Sequence, residues 1–257
     1  MESLYVLGTA AGKPTPQSNV TSTLLKLENG RQILIDCGEG ILTTMIKQNI
    51  DVKNLSAIFI THLHIDHMGG LLSFLFSNVL GNCRVYLPEG GKKLVEIFEE
   101  QSKTLVTPTV EIVEFSHTDQ MNKFVINEDV VVSIVTLPHG DINSHGFIFK
   151  DHKGLVVGIL GDSNGRDLSM VGKVNVLIHE CTFSAETYRG NVHSLPEMAA
   201  RCAESVSADY LLLNHFYTLD SSLNYFLKLV EDTSKHTKAR VIALHDFVTI
   251  HLADLIK

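Results

Sequence analysis

The chain has 257 residues, of which 44% are hydrophobic and 19% charged, so it can bury a large core and has the composition of a globular protein. Its net charge of −8 argues against a large nucleic-acid partner, because phosphate backbones are bound mainly by Lys and Arg. No apolar run reaches the roughly 18 residues that cross a bilayer, and the N-terminus lacks a signal-peptide pattern. We therefore expect a cytoplasmic protein with no membrane partner.

Short β-runs bounded by turn residues alternate with helical patterns along the chain. In the first half, strands are predicted at residues 4–7, 23–27, 32–35, 57–60, 85–87, 110–114 and 130–136. Helices are predicted between them at residues 40–48, 68–76 and 92–101. In the second half, strands are predicted at residues 146–149, 155–160, 174–178, 210–213 and 240–244, with helices at 195–206 and 221–235.

No repeat or linker interrupts this pattern, so we predict a single domain over residues 1–257. Two β-rich halves that are each followed by helices indicate an α/β fold with two packed mixed β-sheets flanked by helices. The polar clusters then lie in loops just past strand ends, where functional residues are usually held. The four cysteines form no C-x-x-C pair, so we expect reduced, buried thiols and neither a thiolate zinc site nor a disulfide framework.

The most informative segment is Thr-His-Leu-His-Ile-Asp-His at residues 61–67, directly after a predicted strand. His62 and His64 alternate with Leu63, so an extended backbone points both imidazoles the same way. Asp66 and His67 lie past the turn and can face a second metal. Imidazole and carboxylate are donors that suit zinc. The alternative, a solvated histidine-rich loop, does not explain three imidazoles and a carboxylate that follow a buried strand.

This spacing resembles the metallo-β-lactamase superfamily, whose fold is an αββα sandwich. The resemblance implies two Zn²⁺ ions per chain, with Mn²⁺ as the alternative metal. The implied ligands are His62, His64 and His139 for the first ion, Asp162 as the bridge, and Asp66, His67 and His215 for the second. A water between two ions about 3.5–4 Å apart is activated at neutral pH, and Asp66 would also orient or deprotonate it.

Other motifs resemble ribonuclease Z, the tRNA 3′-processing endonuclease. They lie at residues 7–14, 19–22, 36–40 and 144–147, and the most specific is His-Glu-Cys-Thr-Phe at residues 179–183. This resemblance implies that His179 donates a proton to the leaving oxygen and that Glu180 orients it. His193, in a His-Ser pair before a predicted helix, is expected to support the substrate site.

The chain also departs from ribonuclease Z. Only residues 150–154 separate two predicted strands where that family inserts its tRNA-gripping arm, and Ser18 replaces an early Arg. The chain therefore resembles small, armless relatives, the anti-Pycsar enzymes of phages and bacteria, which degrade cyclic mononucleotide signals. That implies hydrolysis of cAMP, cGMP, cCMP or cUMP by a homodimer in a bacterial or phage-infected cytosol, with Phe183 and Tyr217 holding the base.

Three alternatives stay open. The first is a tRNA 3′ endonuclease, so tRNA remains a candidate partner despite the acidic charge. The second is hydrolysis of another phosphodiester or of an ester such as a lactone on the same site. The third is a non-catalytic, metal-stabilised binding module. The apolar run at residues 71–76 fits either a dimer surface or a core helix.

Overall fold

The computed structural model describes residues 1–116, 122–127, 130–184, 186, 191–217 and 222–255. The strands of the first sheet are β1 (Ser3–Gly8), β2 (Ser22–Lys26), β3 (Gln32–Ile35), β4 (Leu55–Phe59), β5 (Cys83–Pro88), β6 (Val110–Phe115) and β14 (Thr249–His251). Those of the second are β7 (Asn122–Asn127), β8 (Val130–His139), β9 (Ile142–Asp151), β10 (Val156–Leu160), β11 (Val176–Glu180), β12 (Tyr210–Asn214) and β13 (Arg240–Ala243).

Most of the helices cover the outer faces of the two sheets, whereas the short last helix contributes Leu252 to the inner layer. They are α1 (Ile41–Lys47), α2 (Ile65–Met68), α3 (Leu71–Phe76), α4 (Gly91–Ser102), α5 (Pro196–Ser205), α6 (Leu223–Ser234) and α7 (Leu252–Leu255). Within the described ranges, no helix is long and apolar enough to cross a membrane.

Both sheets are mixed, as predicted. The first has the strand order β14-β1-β2-β3-β4-β5-β6 and the second has β13-β12-β11-β10-β9-β8-β7. In each sheet, antiparallel pairs on one side give way to parallel pairs on the other, beginning at β3–β4 and at β10–β11. Because the ends of parallel strands meet at one edge, the loops that follow them gather at one end of the sandwich.

Alternation along the strands divides the apolar side chains between an inner layer and two outer layers. The inner layer joins the sheets, where the ring of Phe59 lies 4.9 Å from Phe147 and 5.9 Å from Phe149 between centroids. Outside the first sheet, Ile58 packs in a cluster that includes Phe74 of α3. The other outer cluster lies between the second sheet and α5 and α6. This layering is the predicted sandwich.

Every predicted strand is present, but the predicted helix at 68–76 is two helices. α2 ends at Met68 and α3 begins at Leu71, and Gly70 between them lies against the backbone of Gly38. A Cβ on Gly70 would stand 2.2 Å from the carbonyl oxygen of Gly38. The strands β7 and β14 and the helix α7 were not predicted. The predicted first residue of the helix at 221–235, Ser221, lies outside the described residues.

The connection between β9 and β10 is a tight turn. β9 ends at Asp151 and β10 begins at Val156. The Asp151 N–H donates to the Leu155 carbonyl at 3.0 Å, and Gly154 takes a positive φ of 87°. The prediction that no arm is inserted here is therefore confirmed.

Candidate metal centre

Four side chains converge where β4, β8 and β10 end. The His64 Nδ1 lies 3.0 Å from the His62 Nε2 and 3.4 Å from the His139 Nε2. The Asp162 Oδ2 stands 3.7 Å from the His62 Nε2 and 3.8 Å from the His139 Nε2. Three imidazole nitrogens and one carboxylate oxygen match the donors of a tetrahedral zinc site. His64 is exposed while the other three are buried, so this group opens to solvent on one side.

A second group lies against the first. The His67 Nε2 and the His215 Nε2 are 3.2 Å apart, and the Asp66 Oδ2 is 3.6 Å from the former and 3.4 Å from the latter. The other oxygen of Asp162, Oδ1, is 3.4 Å from the His67 Nε2 and 3.3 Å from the His215 Nε2. Each carboxylate oxygen of Asp162 thus faces a different group, which is the arrangement of a bridging ligand.

The electrostatics of this cluster favour a bound cation. Burial alone would raise the pKa of Asp162, but the His215 and His67 imidazoles bring it well below its usual value. Burial alone would lower the pKa of His67, but the carboxylates of Asp162 and Asp36 raise it well above the usual value. The carboxylates thus favour positive charge between these groups, and the donor set suits a divalent metal ion.

A buried carboxylate, which the sequence interpretation left without a role, organises the first loop. Asp36 accepts hydrogen bonds from the Thr61 N–H at 2.8 Å and contacts the His67 Nδ1 at 2.7 Å. The Thr61 hydroxyl also forms a hydrogen bond with the His62 Nδ1 at 3.0 Å. These contacts fix the ring orientation of His62 and His67, as partners of metal-binding histidines generally do. The only sequence signal was the position of Asp36 inside the 36–40 motif.

The remaining ligands are oriented by groups with little sequence signal. The His139 Nδ1 lies 2.9 Å from the carbonyl oxygen of Val192, and the His215 Nδ1 lies 2.8 Å from the Thr182 hydroxyl. A carbonyl belongs to every residue, so sequence analysis could not identify Val192. His215 itself has a positive φ of 57°, which turns its ring toward the centre directly after β12.

Glu180, the last residue of β11, lies beside the two metal groups. Its carboxylate accepts from the backbone N–H of Ser163 at 2.6 Å and of Ser194 at 3.0 Å, and from the Thr182 hydroxyl. It also contacts the His193 Nδ1 at 3.1 Å. A carboxylate held by so many donors is a fixed anchor for that imidazole.

His193 connects this anchor to the metal centre. Its Nδ1 is 3.7 Å from the Asp162 Oδ2, and its ring stacks on His215 with centroids 5.4 Å apart. Burial disfavours the imidazolium, but the hydrogen bond to Glu180 and the charges of Glu180 and Asp162 raise the pKa of His193. The ring remains partly exposed, so a substrate can reach it.

His179 is placed differently from the expectation. Alternation along β11 sends it to the face that carries its strand neighbour Leu213, within the outer cluster under the helices. The side chain is fully buried, and its Nδ1 lies 2.7 Å from the Glu180 carbonyl oxygen. The role of His179 as proton donor stays a prediction, and the complete burial of its ring does not favour contact with a substrate.

The expected aromatic wall lies next to His193. The ring of Phe183 is 5.8 Å from His193 and 5.7 Å from Tyr217 between centroids. Phe183 is buried, whereas Tyr217 is 52% exposed and is tied by its N–H to the Thr182 carbonyl. The three residues proposed from sequence as substrate contacts therefore lie in one row of neighbouring rings that ends at the exposed Tyr217.

Residues 2–218 match the family model described as anti-Pycsar protein Apyc1. The chain belongs to this family. This anti-Pycsar family member is also 29% identical over 265 aligned residues to ribonuclease Z of Limosilactobacillus fermentum, a match that covers 81% of the chain and 86% of the relative.

Solved structures agree with these relationships. The human tRNase Z short form has a TM-score of 0.78 and 29% identity, covering 96% of this chain and 98% of that one. The metallo-β-lactamase fold protein YhfI from Bacillus subtilis has a TM-score of 0.80 at 18% identity, covering 97% and 99%, which shows the shared fold. The anti-Pycsar family member is thus a metal-dependent phosphodiesterase of the metallo-β-lactamase fold, similar to ribonuclease Z.

Proposed function

We propose that this enzyme hydrolyses 3′,5′-cyclic mononucleotides such as cAMP, cGMP, cCMP and cUMP, and so removes an immune or signalling nucleotide. The family match over residues 2–218 carries this proposal, because that stretch includes all seven candidate ligands. The tight turn between β9 and β10 supports a small substrate, since it leaves no arm for a tRNA. The acidic net charge of −8 also favours a small substrate over a polynucleotide.

The metal we propose is zinc, with two ions per chain and Mn²⁺ as the alternative. The first group, His62, His64 and His139, would hold one ion, and Asp162 would be shared with the other. Bound there, the two ions supply Lewis acidity toward the phosphodiester and an activated water. Because the two oxygens of Asp162 face different groups, this one residue would hold both ions.

His193 is the residue we propose as proton donor, in place of His179. Its Nδ1 is held by the Glu180 carboxylate, so its Nε2 is left to face the substrate. The backbone N–H groups of Ser163 and Ser194 keep that carboxylate in place while the proton moves. A proton delivered by the His193 Nε2 to the departing ribose oxygen avoids the formation of a free alkoxide.

The base is proposed to lie against Phe183 and Tyr217. The exposed ring of Tyr217 offers a stacking face, which tolerates any base because every base has a π-surface. Phe183 neighbours both that ring and His193, with centroids 5.7 Å and 5.8 Å away. This arrangement predicts contact with the base without strong selection among the four nucleotides.

The direct test is an assay of the purified, zinc-loaded protein on cAMP, cGMP, cCMP, cUMP and an unprocessed tRNA, with products separated by chromatography. We expect linear nucleoside monophosphates from the cyclic substrates and an intact tRNA. Failure on every cyclic nucleotide would remove the proposal, and the matched Asp162→Ala protein controls for a contaminating enzyme.

A second candidate is tRNA 3′ processing, which the 29% identity to ribonuclease Z and to the human tRNase Z short form favours. Cleavage of the tRNA alone in the same assay would establish it. That outcome would require another surface to replace the absent arm.

We also propose a homodimer, following the family resemblance. The run at residues 71–76 does not support it, because Leu71, Phe74 and Leu75 are buried in the outer core. A better candidate surface is on α4 and the segment after it, where Leu94, Ile97 and Leu105 are 44%, 47% and 79% exposed. Light scattering should give twice the 28.4 kDa chain mass, and Ile97→Asp should return the monomer mass.

A further inference from the structure

A segment between β1 and β2 passes directly beside the second metal group. The Gly12 N–H donates to the Asp66 Oδ2 at 2.7 Å. This is the same oxygen that faces the His215 Nε2 at 3.4 Å and the His67 Nε2 at 3.6 Å. Gly12 has a φ of +71°, a conformation that glycine adopts without strain. The backbone of this segment therefore fixes the ligand oxygen of Asp66.

One carboxylate ties the two ends of this segment together. The Asp246 Oδ1 accepts from the Thr9 hydroxyl at 2.7 Å, and its Oδ2 accepts from the Asn19 N–H at 2.7 Å. The Ala10 N–H also donates to the Asn19 carbonyl at 2.8 Å. The Asp246 carboxylate therefore joins the two ends of the segment that contains Gly12, alongside the backbone bond from the Ala11 N–H to the Phe216 carbonyl at 3.1 Å.

Asp246 is itself rigidly placed. It lies in the turn between β13 of the second sheet and β14 of the first. The Leu244 N–H donates to the Leu213 carbonyl at 2.9 Å, and the Phe247 N–H donates to the Val6 carbonyl at 2.7 Å. Phe247 has a φ of +66°, which a bulky residue adopts only where its surroundings enforce it. The turn is therefore fixed to both sheets.

We propose that Asp246 is a positioning residue of the metal centre: it holds both ends of the 9–19 segment and thereby places the Gly12 N–H against Asp66. Asp246 touches none of the seven candidate ligands in its described hydrogen bonds, so its effect is transmitted through the segment. The inference rests on the metal centre and is independent of which phosphodiester is cleaved.

The test is zinc binding by Asp246→Ala, measured by competition with a chromophoric chelator and by metal analysis, without any nucleotide. Loss of a group that orients a ligand typically weakens metal affinity about 10–100-fold. We expect a loss of this size at the second ion only. Asp246→Asn should recover most of the affinity, because its oxygen can accept from the Asn19 N–H and its amide can donate to the Thr9 hydroxyl.

Two further variants keep the result decisive. Thr9→Val removes one of the two hydrogen bonds and should give a smaller loss in the same direction, even if Asp246→Ala folds poorly. Asp209→Ala is the matched control. That carboxylate also accepts a hydrogen bond, but it stands before the first residue of β12, whereas His215 follows the last, so zinc binding should be unchanged. Wild-type affinity for both ions in Asp246→Ala, or an equal loss at both, would overturn the proposal.

Discussion

At the scale of single residues, two neighbours on β11 are assigned to different environments by strand alternation. Glu180 faces the metal groups, and His179 faces the outer core. The imidazole that the Glu180 carboxylate orients is consequently His193, which comes from a separate loop. Adjacent residues of one sequence motif can therefore lie in different environments, and the contact partner of Glu180 has to be read from the fold.

The two histidines should respond differently to substitution. General acid catalysis contributes about 10²–10⁴-fold, so His193→Ala should lower kcat by about that factor while two ions remain bound. His179→Ala should leave kcat within a few-fold of wild type but lower the melting temperature, because it opens a cavity in a buried layer. Single-turnover kinetics with parallel metal analysis distinguish the two, and a large kcat loss in His179→Ala alone would restore the original assignment.

Proteins with different ligand substitutions should also differ in how many ions they retain. Asp162 contacts both groups, so Asp162→Ala should lose tight binding of both ions and abolish turnover. His64 contacts only the first group, so His64→Ala should abolish turnover but keep one ion. Metal analysis after dialysis provides the measurement. Retention of one ion by Asp162→Ala would contradict its role as a bridge.

At the scale of elements, the break between α2 and α3 positions the second metal group. The Gly70 N–H donates to the Cys37 carbonyl at 2.9 Å, and the Cys37 N–H donates to the His67 carbonyl at 2.6 Å. A Cβ on Gly38 would stand 2.2 Å from the Asp66 carbonyl oxygen. Three pieces of backbone thus pack without side chains between them, which is possible only because glycine occupies the contacts.

Gly70→Ala should therefore be more damaging than an ordinary glycine substitution. Its Cβ would meet the Gly38 carbonyl at 2.2 Å, and overpacking of this kind costs about 1–3 kcal/mol. Gly30→Ala is the comparison, because no atom lies within 4 Å of the added Cβ. Only its φ of +80° opposes alanine, at a cost of about 1–2 kcal/mol. Chemical denaturation should show the larger loss for Gly70→Ala, together with weaker binding of the second ion. Equal zinc affinity in the two variants would refute the link to the metal centre.

Much of this fold was predictable because its strands are apolar runs with polar residues directly after them. His62, Asp162 and His215 could be identified in this way. The groups that hold them could not, since the carbonyl of Val192 and the N–H of Gly12 leave no mark on the sequence. The edge strand β14 was missed because it has only three residues, and β7 was missed because polar residues stand at both of its ends.

At the scale of the whole molecule, the metal centre lies where the two sheets meet. His62, His64, Asp66 and His67 follow a strand of the first sheet, and His139, Asp162 and His215 come from the second. Ions bound between them therefore connect the two halves of the sandwich in addition to serving the chemistry. The free energy of unfolding should therefore increase when the metal site is filled.

Removal of metal should lower the melting temperature. A ligand present at 100 times its Kd stabilises the native state by about 2.7 kcal/mol, so two ions make a large difference to a domain of this size. Calorimetry with and without EDTA, followed by zinc addition, measures the shift and its reversal. Asp162→Ala is the control, since its melting temperature should hardly change with EDTA. An identical melting temperature for wild type in both conditions would exclude the coupling.

The strand order has a consequence for how the enzyme is made. The strands of the second sheet lie in the order of the chain from β7 to β13, and each strand is beside the one before it. The first metal group is complete once Asp162 has followed β10, whereas the second waits for His215 after β12. The ribosome has therefore delivered every residue of the first metal group before it makes β11 and β12, which precede His215 of the second.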